Sequence, residues 1–224
     1  MRFNIFNSIH KALRALLYDT ALFLQRADFL NATDLQTAGQ RVRLVVALFD
    51  DHAHHEDQFV LPALQQWEPG ITSTFEQEHQ ADMGLGVHLL DSLKTLQSAP
   101  ILQKPDAGRD FMDRFQAFML FNLEHMAKEE KVLNDLLWKY YTDEEIMKID
   151  ETIVKSLTPW SQQQGSTWMM RGLNNSEIIQ WLQTLKHTAP QAIYKELYNL
   201  AEQELPSHRF SEVQASLSDV KLIV

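Results

Sequence analysis

The chain has 224 residues, 30 acidic against 20 basic, a formal charge of −10 and no cysteine. Lack of cysteine excludes disulfides, thiol catalysis, thiolate zinc and cysteine-ligated iron–sulfur clusters, and the acidic balance lacks the clustered Lys and Arg that nucleic acid requires. A hydrophobic fraction of 45% supports a packed core at this length. No run reaches the roughly 20 apolar residues of a membrane span, and Lys11 and Arg14 interrupt the apolar pattern a signal peptide needs. The expectation is a cytoplasmic protein with neither nucleic acid nor membrane as partner.

Seven Gly, seven Pro and scarce period-2 alternation predict an all-α chain. The first helix is expected over 3–29, with Phe6, Leu13, Leu17 and Leu24 on one stripe and 31–34 as a loop with capping residues. The second is expected over 35–67, kinked near Pro62 and closed by Glu68-Pro69-Gly70. A third follows over 71–97, opened by Thr72 or Ser73, and a fourth over 109–141 after a break at 98–108. Four long helices with short connections predict an up-and-down four-helix bundle. Thr142-Asp143-Glu144-Glu145 then reads as a capping box opening a helix through Ser156. Shorter helices are expected over 161–171, 176–187 and 190–204, before a polar tail. The chain thus divides into a bundle, 1–141, and a C-terminal helical extension, 142–224, to which the sequence assigns no role.

The helix seams carry the chemistry. In the second helix the seam runs Val42, Val45, Phe49, His52, Glu56, Phe59, Ala63; in the fourth, Phe111, Phe115, Phe118, Asn122, His125, Glu129, Val132, Leu136. Each places a His and a Glu four apart, on one helix face, between large hydrophobes. The first helix contributes His10 within Phe6–His10–Leu13–Leu17, and the third contributes His79 within Phe75–His79–Met83–Gly86–Leu90. One His followed by His-x3-Glu therefore occurs twice, an internal pseudo-repeat of helix pairs. A lone seam His is ordinarily a hydrogen-bonded core residue, but two buried carboxylates facing each other are costly without a cation. Six such insertions together predict a dinuclear metal site. Imidazole with carboxylate suits iron or manganese, and zinc shares the preference. A ferritin-like Glu-x-x-His pair on two helices fails, because Asn122 stands three residues before His125. Of the remaining groups, His54 is expected to face solvent, His55 flanks the seam, and Glu130 is the runner-up to Glu129; Glu78 and Glu124, each directly before a candidate ligand, are expected as solvated helix-face carboxylates, with support of those ligands as the alternative. His88, His187 and His208 have no partner pattern.

These residues resemble hemerythrin and the hemerythrin-like (HHE cation-binding) domains. The resemblance rests on Ile9-His10-Lys11-Ala12-Leu13-Arg14, on His52-Ala53-His54-His55-Glu56 with Phe59-Val60-Leu61-Pro62, on Glu78-His79, and on His125-Met126-Ala127-Lys128-Glu129-Glu130, over roughly residues 1–140. It implies a four-helix bundle holding two iron ions, with His10, His52, His79 and His125 as terminal ligands and Glu56 and Glu129 bridging. It also implies O2, peroxide or nitric oxide as small ligands, or iron handling. Oxygen carriers of the family have a second His one turn after the third-helix His, where this chain has Met83. That substitution shifts the expectation from reversible carriage toward reactivity or labile iron binding. Members that repair iron–sulfur clusters carry a cysteine-containing extension, and the lack of cysteine argues against that role. Two alternatives stand beside the leading one: an iron or redox sensor signalling to a protein partner through its C-terminal helices, and a di-iron oxidase or peroxidase, for which no substrate motif is present.

Overall fold

The computed structural model describes residues 2–218, and the architecture is all-α, with no strand among the described residues. Helix α1 spans Asn7–Arg26, α2 Ala32–His55, α3 Leu61–Gln65, α4 Pro69–Ser98, α5 Lys104–Lys128 and α6 Asn134–Tyr140. Single π-helical turns at Glu56–Val60 and Glu129–Leu133 join α2 to α3 and α5 to α6, so six helices form four rods. The rods close a ring, α1 against α2, α2 against α4, α4 against α5, and α5 back against α1. None of the described helices is long and apolar enough to cross a membrane.

Local chemistry sets the helix ends. The Asn4 side chain accepts from the Phe6 and Asn7 backbone N–H groups, which starts α1 at 7 rather than 3. Asn31 caps α2 by accepting from Thr33 and Asp34 N–H, so the helix begins at Ala32, inside the expected loop. Pro69 and Pro105 lie in the first turns of α4 and α5, where a missing N–H costs nothing. The sequence-based starts at Ile71 and Arg109 were therefore too late. Thr72 is buried inside α4, donating to the Pro69 carbonyl, and is not its cap.

The π turns correct the expected seams. Each inserts one extra residue and rotates the helix beyond it. Past Glu56 the core receives Val60, Leu61 and Leu64 in place of Phe59 and Ala63; past Glu129 it receives Leu133 and Leu137 in place of Val132 and Leu136. Only the first bulge has a proline nearby. In α4 the seam passes through Asp82, Gly86, Leu89 and Leu93, while Met83 is 51% exposed and Leu90 only partly buried. Asp82 is turned inward because Asn122 of α5 donates to it at 2.6 Å.

Beyond the bundle lie α7 (Asp143–Ser156), α8 (Pro159–Gly172), α9 (Asn175–Thr188), α10 (Gln191–Glu204) and α11 (Ser207–Ser218). The Thr142–Glu145 capping box is present, and a second at Asn174–Glu177 opens α9. The expected polar tail instead forms α11, which buries Val213 and Leu217; residues 219–224 lie outside the described residues. Ile146 of α7 joins the apolar cluster at one end of the bundle, with Phe6, Leu61 and Leu137. Trp168 of α8 joins the larger bundle core, the cluster that also holds Leu13, Val45 and Phe118. Met170, Leu173 and residues of α9–α11 form a third cluster of their own. Helix α8 lies so close to α1 that a Cβ at Gly172 would stand 2.5 Å from the Lys11 carbonyl oxygen.

Candidate metal centre

Between the two apolar clusters of the bundle lies one polar layer. It holds His10 from α1, His52 from α2, His79 from α4, His125 from α5, and Glu56 and Glu129 from the first positions of the two π turns. The structure brings these six residues into two groups, His10–His52–Glu56–Glu129 and Glu56–His79–His125–Glu129, each with ligand-capable atoms within 4.8 Å of one another. The two imidazole pairs have ring centroids 5.0 and 4.9 Å apart.

Both carboxylates belong to both groups, and their oxygens are divided between them. Glu56 turns Oε1 toward His52 Nε2 (3.1 Å) and His10 Nε2 (3.8 Å), and Oε2 toward His79 Nε2 (3.3 Å). Glu129 turns Oε2 toward His10 Nε2 (3.4 Å), and Oε1 toward His125 Nε2 (2.8 Å) and His79 Nε2 (3.5 Å). Every imidazole thus presents Nε2 to the interior. All four carboxylate oxygens, with His79 Nε2 and His125 Nε2, are buried without a hydrogen-bond partner in acceptable geometry. So many orphaned atoms converging in a core are unfavourable in themselves, costing about 1–3 kcal/mol each. A pair of divalent cations between the groups would satisfy them, so the residues fit a dinuclear metal centre.

The opposite ring nitrogens face outward onto carboxylates. His10 Nδ1 pairs with Glu130 at 3.0 Å, His79 Nδ1 with Asp57 at 2.6 Å, and His125 Nδ1 with Glu78 at 2.8 Å. Arg14 holds Glu130 in turn, and Lys128 holds Glu78. Sequence reasoning had Glu130 as runner-up to Glu129, favoured a solvated helix face for Glu78, which the structure corrects, and missed Asp57; the signal available was its place directly after Glu56, matching Glu130 after Glu129. Glu124 is exposed, as is His54. His55 is buried but turned away, its Nδ1 on the Asp51 carbonyl at 2.6 Å and its ring stacked on Phe59.

The electrostatics follow from this packing. Burial alone would depress the imidazole pKa values, but carboxylates overturn it. Glu130 with Glu56 and Glu129 raises His10 to about 9, and Glu129, Glu56 and Asp57 raise His79 to about 11. His125 is raised in the same way, with Glu129 the main partner. Burial presses Glu56 upward, yet His52, His10 and His79 hold it well below the carboxylate range. Glu130 falls to about 2, chiefly through its bond to His10. Metal ligation requires the neutral imidazole, so a bound cation would displace protons from His10 and His79.

The family model for the hemerythrin HHE cation binding domain matches residues 2–137. Among curated proteins, F-box/LRR-repeat protein 5 of Mus musculus is 22% identical over 172 residues, 76% of this chain and 24% of that protein. The Bos taurus protein of the same name gives the same identity and coverage, and that of Pongo abelii is 23% identical over 152 residues, 67% of this chain and 21% of the relative. This chain therefore spans about a quarter of the length of these relatives. The 172-residue similarity is longer than the segment matched by the family model. No solved structure matches.

Proposed function

The chain belongs to the hemerythrin HHE cation-binding family, and on that premise we propose that it is a cytoplasmic, non-haem di-iron protein that binds or reacts with O2, peroxide or nitric oxide, or handles iron. The observation that carries this reading is the division of the Glu56 and Glu129 oxygens between two imidazole pairs. Four imidazole nitrogens, neutral once ligated, and two shared carboxylates are a donor set for iron, with manganese and zinc as competitors. Bound iron would supply redox chemistry and room for one small exogenous ligand. The chain's own part is to set spacing and exclude water. His10, His52, His79 and His125 each offer Nε2, while Glu56 and Glu129 would hold the two ions at one separation. Phe6 packs on His10, and Phe75 and Phe121 pack on His125, so the layer is walled by aromatic rings.

Protein purified without air is expected to carry about two iron atoms per chain, with an optical spectrum that changes on exposure to air. A reversible change indicates carriage; an irreversible one indicates reactivity. Metal-free protein whose melting temperature ignores added ferrous iron overturns the proposal.

A second reading, an iron or redox sensor that reports through its C-terminal helices, is favoured by one contact. Lys11, adjacent to His10 on α1, is paired with Glu177 of α9, which also accepts from Asn7 at 3.1 Å. The helix that offers His10 is thus also the helix on which the extension is seated.

A further inference from the structure

The two halves of the centre are related by the pseudo-repeat, and so are their outer carboxylates. His10 corresponds to His79, and His52-x3-Glu56 to His125-x3-Glu129. Asp57, directly after Glu56, braces His79 of the other half; Glu130, directly after Glu129, braces His10. These two contacts are equivalent under the repeat. The third is not. Glu78, preceding His79, braces His125, and the residue in the same place before His10 is Ile9, partly buried against the bundle core. Among the described residues His52 accordingly has no Nδ1 partner; its hydrogen bond is to His10, through Nε2 at 3.1 Å. Its side chain is 11% exposed, against 0%, 3% and 7% for His10, His79 and His125.

Resting on the dinuclear reading above, we propose that the two metal positions are unequal: the His79/His125 position is filled first and held tightest, and the His10/His52 position is exchangeable because Ile9 stands where His52 needs a carboxylate. A carboxylate on the outer nitrogen fixes an imidazole's tautomer and orientation and makes it a better donor, and losing one such partner weakens metal binding by about 10–100-fold. Both imidazoles of the His79/His125 position are braced; at the His10/His52 position only His10 is. The more exposed His52 is the ligand through which the exchangeable ion enters and leaves.

The test is anaerobic titration of the full chain with ferrous iron against chelators of graded affinity, counting equivalents retained. Wild-type protein should show two one-equivalent steps whose affinities differ by about 10–100-fold. His52→Ala should abolish the weaker step and spare the tighter one. Ile9→Glu should tighten the weaker step toward the other, a gain that a merely structural role would not produce. Glu78→Gln keeps the shape and an acceptor oxygen but removes the negative charge of the opposing brace, and should weaken the tighter step toward the other. Two equal steps in wild-type protein, left unchanged by Ile9→Glu or by Glu78→Gln, overturn the inference while sparing the dinuclear reading. Failure of wild-type protein to retain any iron overturns both.

Discussion

Helix α8 contains a matched pair of glycines whose replacement should act in opposite directions. A Cβ at Gly165 would meet nothing within 4 Å, whereas one at Gly172 would stand 2.5 Å from the Lys11 carbonyl oxygen, 2.9 Å from its carbon and 3.2 Å from Ala12 N. Neither glycine has positive φ, so alanine suits both backbones. Gly165→Ala in the helix interior should stabilise by about 0.5–1 kcal/mol. Gly172→Ala meets rigid main chain of α1; restoring ordinary contact at 3.4 Å requires α8 to retreat by about 1 Å, and such overpacking costs about 1–3 kcal/mol, which exceeds the helical gain. In a chain of this size 1 kcal/mol moves the melting temperature by about 2–4 °C. Thermal melts of both variants, freed of metal by chelator, should therefore rise by a few degrees for Gly165→Ala and fall for Gly172→Ala. Because Trp168 is seated in the bundle core from the same helix, the Gly172 variant should also show an altered tryptophan emission. Equal stabilisation by both substitutions would refute the close approach of α8 to α1.

Ferrous iron at 100 times a site's dissociation constant should add about 2.7 kcal/mol for that site, raising the melting temperature by roughly 5–11 °C for each site so filled, and chelation should reverse it. Iron uptake at pH 7.5 should release protons from His10 and His79, whose pKa values of about 9 and about 11 keep them charged before binding; uptake without acidification of a weakly buffered solution contradicts that charge state. The same shifts fix the pH profile of metal-free protein. A histidine raised in the folded state stabilises fully below its unfolded pKa, about 6.5, so stability should fall as pH climbs through about 9 for His10. Glu130, lowered to about 2, acts oppositely, its contribution present above about 4.5 and lost as pH drops toward 2; a flat melting profile would contradict both. Asn122→Ala should cost about 1–3 kcal/mol by leaving Asp82 buried without its donor, while Asp82→Leu with Asn122→Phe, the residues Leu13 and Phe49 hold in the first half, should cost less than that single change when metal-free melts are compared.

Helix content, the four-rod plan and the convergence of four histidines on two glutamates were legible in the chain, because seam periodicity places a His-x3-Glu pair inward whatever the partner helix is. The Thr142 capping box was legible for the same local reason. Tertiary structure decided what depends on contacts distant in sequence. The π turns that begin at Glu56 and Glu129 shift every later core position by one residue, and no local signal near Glu129 announces its turn. Asp82 rather than Met83 faces inward because a donor on another helix, Asn122, makes burial of its carboxylate tolerable. Asp57 and Glu78 brace histidines 22 and 47 residues away. The seating of Trp168 and Gly172 on the bundle likewise comes from packing between α8 and α1. Composition had ruled out every thiolate and left nitrogen and oxygen as donors. Only the folded chain, by burying those donors against one another, decided which oxygen faces which imidazole and, among the described residues, which histidine lacks a carboxylate on its outer nitrogen.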